Sequence, residues 1–64
     1  MNEQVRDAVY RGLSDSLSAA IDTGNADEVA EVLSAACSAW AGGQIGYQQT
    51  CDLYADARIA GYDF

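Results

Sequence analysis

The sequence contains no histidine and no lysine, and these two absences exclude much of the chemistry found in small proteins. Without histidine, a serine or cysteine nucleophile lacks its usual general base. Without lysine, a glycine-rich phosphate-binding loop cannot be completed. Carboxylates can act as acids or bases in principle, but 64 residues in short helices leave little room for a substrate cleft. The sequence therefore predicts that the protein is not an enzyme.

Sulfur and nitrogen ligands for a metal are equally scarce, because only two cysteines and no histidine are present. Two thiols are too few for a closed zinc site. Asp22, Asn25 and Asp27 bring three oxygen-bearing side chains to one loop. Their spacing does not match a calcium-binding loop, which also needs an acid near its twelfth position, and helix capping explains them better. We therefore expect no metal and no cofactor.

The two cysteines, Cys37 and Cys51, are expected to be reduced, small core residues. They are nearly equidistant from the turn predicted near Gly43 and Gln44, so they should lie level across a helical hairpin. A disulfide between them is the less favoured alternative, since it needs Cα atoms within about 7 Å.

Long apolar runs are also missing, and none approaches the roughly 20 residues that span a bilayer. The segment Met1-Asn2-Glu3-Gln4 has no basic or apolar region of the kind that begins a signal peptide. The expected location is the cytoplasm of the cell that makes the protein.

Proline is absent, so the glycines mark the breaks between periodic segments. Gly24, the pair Gly42-Gly43, and Gly61 separate or end three helical stretches, at about residues 2–22, 25–41 and 46–60. Asn25 is the predicted N-cap of the second helix, and Glu28 would complete a capping box. Short connections make successive helices antiparallel. The prediction is a single all-α domain, residues 1–64, folded as an up-down-up three-helix bundle.

Each helix has an expected inner face, set by apolar residues at helical spacing. These faces are Val5, Val9, Tyr10, Leu13, Leu17, Ala20 and Ile21 in the first helix, Val29, Val32, Leu33, Ala36 and Trp40 in the second, and Tyr47, Thr50, Cys51, Leu53, Tyr54, Ala55 and Ala57 in the third. Ala8, Gly12, Ser16 and Ala19 form a small-residue flank on the first helix. Glycine within a helix costs about 1 kcal/mol, so we expect close packing at Gly12.

Arg58 falls within the expected inner arc of the third helix, which is unusual for a cation. Three roles are open, in descending order of preference. Its stem could cover the edge of the core, it could form a partly buried ion pair with an acid of another helix, or it could bind a carboxylate or phosphate of a partner.

The formal charge of −7, from ten acids and three arginines, is distributed unevenly. In the first helix Arg11 is spaced to pair with Asp7 and Asp15, whereas between Gly12 and Ala57 there are seven acids and no base. Asp27 with Glu31, and Asp52 with Asp56, are like-charge i,i+4 pairs, which mildly destabilise a helix. A surface that only keeps the protein soluble is the less favoured alternative, since such surfaces more often intersperse both signs. The candidate partner-binding residues are therefore Asp22, Asp27, Glu28, Glu31, Asp52 and Asp56, with Tyr62, Asp63 and Phe64 as a secondary contact.

Spaced carboxylates on a small fold without catalytic residues resemble the phage-encoded anti-CRISPR and anti-restriction inhibitors. The similarity is one of overall character along the whole chain, without a specific motif. It implies DNA mimicry, in which an acidic protein occupies a basic nucleic-acid-binding surface of a CRISPR effector or restriction component. The alternative is a structural or adaptor module whose small-residue flank or C-terminal aromatics make apolar contacts with a partner or with a second copy. Neither hypothesis involves direct binding to nucleic acid or membrane, both of which would repel the chain.

Overall fold

The computed structural model describes residues 3–62, with side chains from residue 5 onward. Three helices, α1 (Glu3–Thr23), α2 (Ala26–Ala41) and α3 (Tyr47–Ile59), follow one another, and each packs against the other two. The predicted three-helix bundle is confirmed, with helix boundaries within one residue of those expected. A helix rises about 1.5 Å per residue, so the 21 residues of α1 account for the 33 Å long axis of the molecule.

The turn between α1 and α2 is fixed by Gly24 and Asn25. Gly24 has a φ of +71°, which glycine adopts without strain. The Asn25 side chain accepts hydrogen bonds from the backbone N–H groups of Asp27 (3.0 Å) and Glu28 (3.4 Å), confirming it as the N-cap. The expected capping box is only half formed, because the Glu28 carboxylate lies 3.1 Å from the Thr23 hydroxyl instead of capping Asn25.

The turn between α2 and α3 begins with a Schellman motif centred on Gly43, whose φ is +75°. The Gln44 N–H donates to the Ala39 carbonyl at 2.8 Å, and the Gly43 N–H donates to the Trp40 carbonyl at 3.0 Å. These bonds satisfy carbonyls that the end of a helix would otherwise leave unpaired.

The start of α3 is held by polar side chains around Gly46. The Gly46 N–H donates to the Gln49 side-chain oxygen (2.9 Å), and the Thr50 hydroxyl donates to the Gly46 carbonyl (3.0 Å). Ile45, just before the N-cap, is buried in the core, where it anchors the chain as it enters α3.

The core is narrow and rich in alanine. Its buried residues are Leu17, Ala20, Val29, Leu33, Ala36, Ala39, Ile45, Leu53 and Ala57. Four of these nine are alanines, whose small side chains let helix backbones approach closely. Around them lie partly buried residues: Val9, Tyr10, Leu13, Ile21, Val32, Tyr54 and Tyr62.

The inner faces expected for α2 and α3 are too wide. Cys37, Cys51 and Ala55 are exposed, and 47% of Trp40 and 67% of Tyr47 remain accessible. Helical spacing places these residues beside the inner face, but three short helices packed through alanines cover only a narrow stripe. On α3 that stripe consists of Thr50, Leu53 and Ala57. The prediction that both cysteines are core residues is wrong for the same reason.

The small-residue flank of α1 is open as well. Ala8, Gly12, Ser16 and Ala19 are all exposed, and a Cβ built on Gly12 would have no neighbour within 4 Å. The expected close packing at Gly12 is therefore absent within the monomer, because α2 and α3 pack on the other side of α1.

We expect Gly12→Ala to raise the free energy of unfolding by about 0.5–1 kcal/mol, because alanine lowers the entropy of the unfolded chain and fits the open site. Urea unfolding followed by circular dichroism measures this change. Gly43→Ala should lower the stability in the same assay, since its φ of +75° disfavours a Cβ. A destabilising Gly12→Ala would contradict the exposed position of Gly12.

We expect Leu53→Ala to lower the free energy of unfolding by about 2–5 kcal/mol, because Leu53 is fully buried where the three helices meet. Ile59→Ala is the matched control, since 85% of Ile59 is exposed, and it should change the stability by less than about 0.5 kcal/mol. Equal effects of the two changes would contradict the packing described above.

Candidate interaction surfaces

All six acids predicted to bind a partner are exposed, and the structure divides them into two groups. Those we call the turn acids surround the α1–α2 connection and are Asp22, Asp27, Glu28 and Glu31. Those we call the α3 acids, Asp52 and Asp56, lie in the middle of the third helix. The six candidate acids thus belong to two acidic areas.

The turn acids gain local support from the start of α2. Asp27 and Glu28 occupy its first turn, where the partial positive charge of the helix N-terminus favours carboxylates. Glu28 is further positioned by the Thr23 hydroxyl at 3.1 Å. Glu31 follows Asp27 by one turn, so the two are about 6 Å apart along the helix axis. This stabilisation partly offsets the repulsion between these closely spaced carboxylates.

The α3 acids lie on the flank of α3 that faces α1. Partial burial raises the pKa of the Tyr10 phenol above 10, and the negative charges of Asp52 and then Asp56 raise it further. One turn before Asp52, the Gln49 amide donates to the Asp7 carboxylate at 3.5 Å. These contacts place the two carboxylates beside α1, which carries its own acid at Asp7.

The opposite flank of α3 faces α2 and has a different character. Tyr47, Cys51, Tyr54 and Arg58 follow each other at helical spacings of four, three and four residues along this flank. With Cys37 and Trp40 of α2, and with Thr50, they line a cleft of about 260 Å³ that we call the aromatic cleft. Sequence reasoning missed this cleft because it assigned the same stripe to the core.

The walls of the aromatic cleft are held by contacts between its own side chains. The Trp40 and Tyr47 rings pack with centroids 5.7 Å apart and planes inclined by 58°. The Tyr54 hydroxyl lies 2.9 Å from the Cys37 sulfur. That hydrogen bond, partial burial and the charge of a Cys37 thiolate raise the pKa of Tyr54. The neighbouring Cys51 thiol likewise raises the pKa of Tyr47.

Arg58 and the cysteines complete this cleft. Both thiols are free, as expected, but they open to solvent. Arg58 is also exposed, so the partly buried ion pair considered for it is wrong. Its position in the cleft leaves two roles open, covering the edge of the core and binding an anion of a partner.

The predicted secondary contact is only partly described. Tyr62 is half-buried and packs against the core, and its N–H donates to the Ala57 carbonyl at 2.9 Å. Asp63 and Phe64 lie outside the described residues. A second, more polar cavity of about 410 Å³ lies between the beginnings of α1 and α3. It is lined by Arg6, Asp7, Gly46, Gln48 and Gln49.

Comparison of the chain with protein-family models, curated proteins and solved structures gave no match. Within residues 3–62, none of the helices combines the length and the apolar character needed to cross a bilayer.

The position of the α3 acids predicts a specific change in the titration of Tyr10. The pKa of Tyr10 is raised in the folded state, so the phenol holds its proton more tightly there than in the unfolded chain. The resulting contribution to folding stability is fully present below pH 10 and is lost as the pH rises through the folded-state pKa. The difference in absorbance at 295 nm between the parent protein and Tyr10→Phe isolates this titration.

We expect Asp52→Asn with Asp56→Asn to shift the Tyr10 midpoint down toward 10. Asp27→Asn with Glu31→Gln removes the same charge from the turn acids and should leave the midpoint nearly unchanged, because exposed charges beyond a Debye length are screened. Equal shifts from both double variants would contradict the separation of the acids into two groups.

Proposed function

We propose that the protein is a non-catalytic inhibitor or decoy that binds a basic, nucleic-acid-binding surface of another protein. The observation that carries the proposal is that all six candidate acids are exposed on a folded bundle while the net charge is −7. Carboxylates on helices present negative charge at fixed spacing, which is what a phosphate-binding surface recognises.

The placement of the bases supports the same proposal. Arg6 and Arg11 belong to α1, and Arg58 lies in the aromatic cleft, on the opposite flank of α3 from the α3 acids. The α3 acids lie on the flank that faces α1, where Arg6 borders Gln48 and Gln49, but the turn acids present carboxylates without an intervening base. Such a surface attracts a basic partner over distance and raises its association rate at low salt.

The local energetics of the acids favour a binding role over a role in folding. Like charges at i,i+4, as in Asp27 with Glu31 and Asp52 with Asp56, reduce helix stability by a few tenths of a kcal/mol. Asp52 and Asp56 also oppose ionisation of Tyr10. Asp52 and Asp56 lack the helix N-terminus that supports Asp27 and Glu28, so recognition of a partner explains them better than a role in folding. A CRISPR effector or restriction component is the class of partner that we propose.

A structural or adaptor function is the second candidate, supported by the open flank of α1. Ala8, Gly12, Ser16 and Ala19 are exposed along one side of the longest helix, and small residues permit close approach of another helix. A second copy of the chain, forming a homodimer, or a helix of a larger assembly would fit this flank.

A capture experiment with charge variants separates these functions. The tagged protein is incubated with bacterial lysate at about 0.05 and 0.5 M salt, which changes the Debye length from about 14 to about 4 Å. Each captured protein is purified and tested for binding to a double-stranded DNA fragment. We expect capture only at low salt, and we expect the acidic protein to displace the DNA.

The matched variants show which acids act. Asp22→Asn, Asp27→Asn, Glu28→Gln and Glu31→Gln together should weaken inhibition of DNA binding at least tenfold, and Asp52→Asn with Asp56→Asn should weaken it further. Asp7→Asn with Asp15→Asn removes two acids from α1 as a control and should have little effect. Inhibition that survives all six amide changes would refute the decoy function. Salt-insensitive capture that Gly12→Leu abolishes would instead support the adaptor function.

A further inference from the structure

We propose that the aromatic cleft is a second interaction site, which binds a segment of a partner protein in which an apolar side chain adjoins a carboxylate. This site is separate from both acidic areas and does not depend on the decoy function. The proposal stands on the exposed aromatic rings, the charge of the cleft lining and the size of the cleft.

Two aromatic rings of the cleft are largely exposed to solvent. Trp40 and Tyr47 keep 47% and 67% of their surface accessible while packing against each other at 5.7 Å. A large aromatic pair with one open face is typical of the residues that dominate the free energy of protein–protein contacts. The pair therefore offers an apolar partner side chain a preformed wall.

Arg58 gives the cleft its charge preference. Among the residues that the structure describes, the lining contains no acid, and Arg58 is its one base. Arginine presents a planar fork of donors that matches a carboxylate. The carboxylates of Asp52 and Asp56 lie on the other flank of α3, next to Tyr10, so they do not neutralise Arg58 within the cleft. A carboxylate beside the apolar anchor is therefore the complementary group.

Size and charge argue against a small-molecule ligand, a cation and a nucleic-acid strand. A volume of about 260 Å³ is below the roughly 300–1,000 Å³ of most small-molecule sites, so it suits one anchoring side chain. Arg58 disfavours a cationic ligand over the Trp40 ring. A nucleic-acid strand would stack on the same rings, but the net charge of −7 repels it.

Trp40 is the only tryptophan of the chain, so its fluorescence reports directly on the cleft. The probes are N-acetylphenylalanine, which carries a carboxylate, and N-acetylphenylalaninamide, which has the same ring without the charge. We expect saturable quenching or shift of Trp40 emission, with the carboxylate binding about tenfold more tightly than the amide, as one charge-assisted hydrogen bond provides.

Arg58→Gln should remove this tenfold preference, while Arg11→Gln, the same charge change on α1, should preserve it. Bound N-acetylphenylalanine should also slow alkylation of Cys37 and Cys51 by iodoacetamide, because both thiols line the cleft. Circular dichroism verifies that each variant is folded. Equal binding of the two probes, retention of the preference in Arg58→Gln, or tighter binding of an oligothymidylate than of the carboxylate would each overturn the proposal.

Discussion

Close contact between helices at alanine residues is the constraint on which the rest of this structure depends. Ala20, Ala36, Ala39 and Ala57 are buried in the core, where they let α1, α2 and α3 approach one another. Apolar burial contributes roughly 25 cal/mol per Å², and alanines contribute little area each. The few large buried residues, led by Leu17, Leu33 and Leu53, therefore supply most of the stabilisation. A 64-residue chain is only marginally stable, so the loss of one of them matters.

A narrow core also determines what remains at the surface. On α3 only Thr50, Leu53 and Ala57 are buried, so the residues on either side of that stripe stay accessible. One side carries the α3 acids and the other carries two aromatic rings, the Cys51 thiol and Arg58. A single 13-residue helix thus presents two surfaces of opposite character, and the buried stripe keeps them apart.

The sequence predicts the local features of the fold well, because caps and turns depend on neighbouring residues. Asn25 and the glycines at positions 24 and 43 act as their residue types indicate. Lateral packing is harder to predict, since helical spacing gives the direction of a side chain and not the width of the neighbour that covers it. Trp40, Tyr47 and Cys51 lie at the helical spacing of core residues, but no neighbouring helix covers them. The same limit hid the aromatic cleft and suggested a packing role for Gly12, whereas the exposure of the acids followed from their charge.

The short connections have a further consequence, for the order of events as the chain folds. Two residues, Gly24 and Asn25, separate α1 from α2, and five residues, 42–46, separate α2 from α3. Contacts between such neighbours involve small sequence separations, and helical bundles of this kind fold on the order of microseconds to milliseconds. Closing the shorter connection costs less entropy, so the α1–α2 hairpin is expected to form before α3 packs against it. Until then the apolar residues that α3 covers stay accessible, and the strong negative charge of the hairpin keeps neighbouring chains apart.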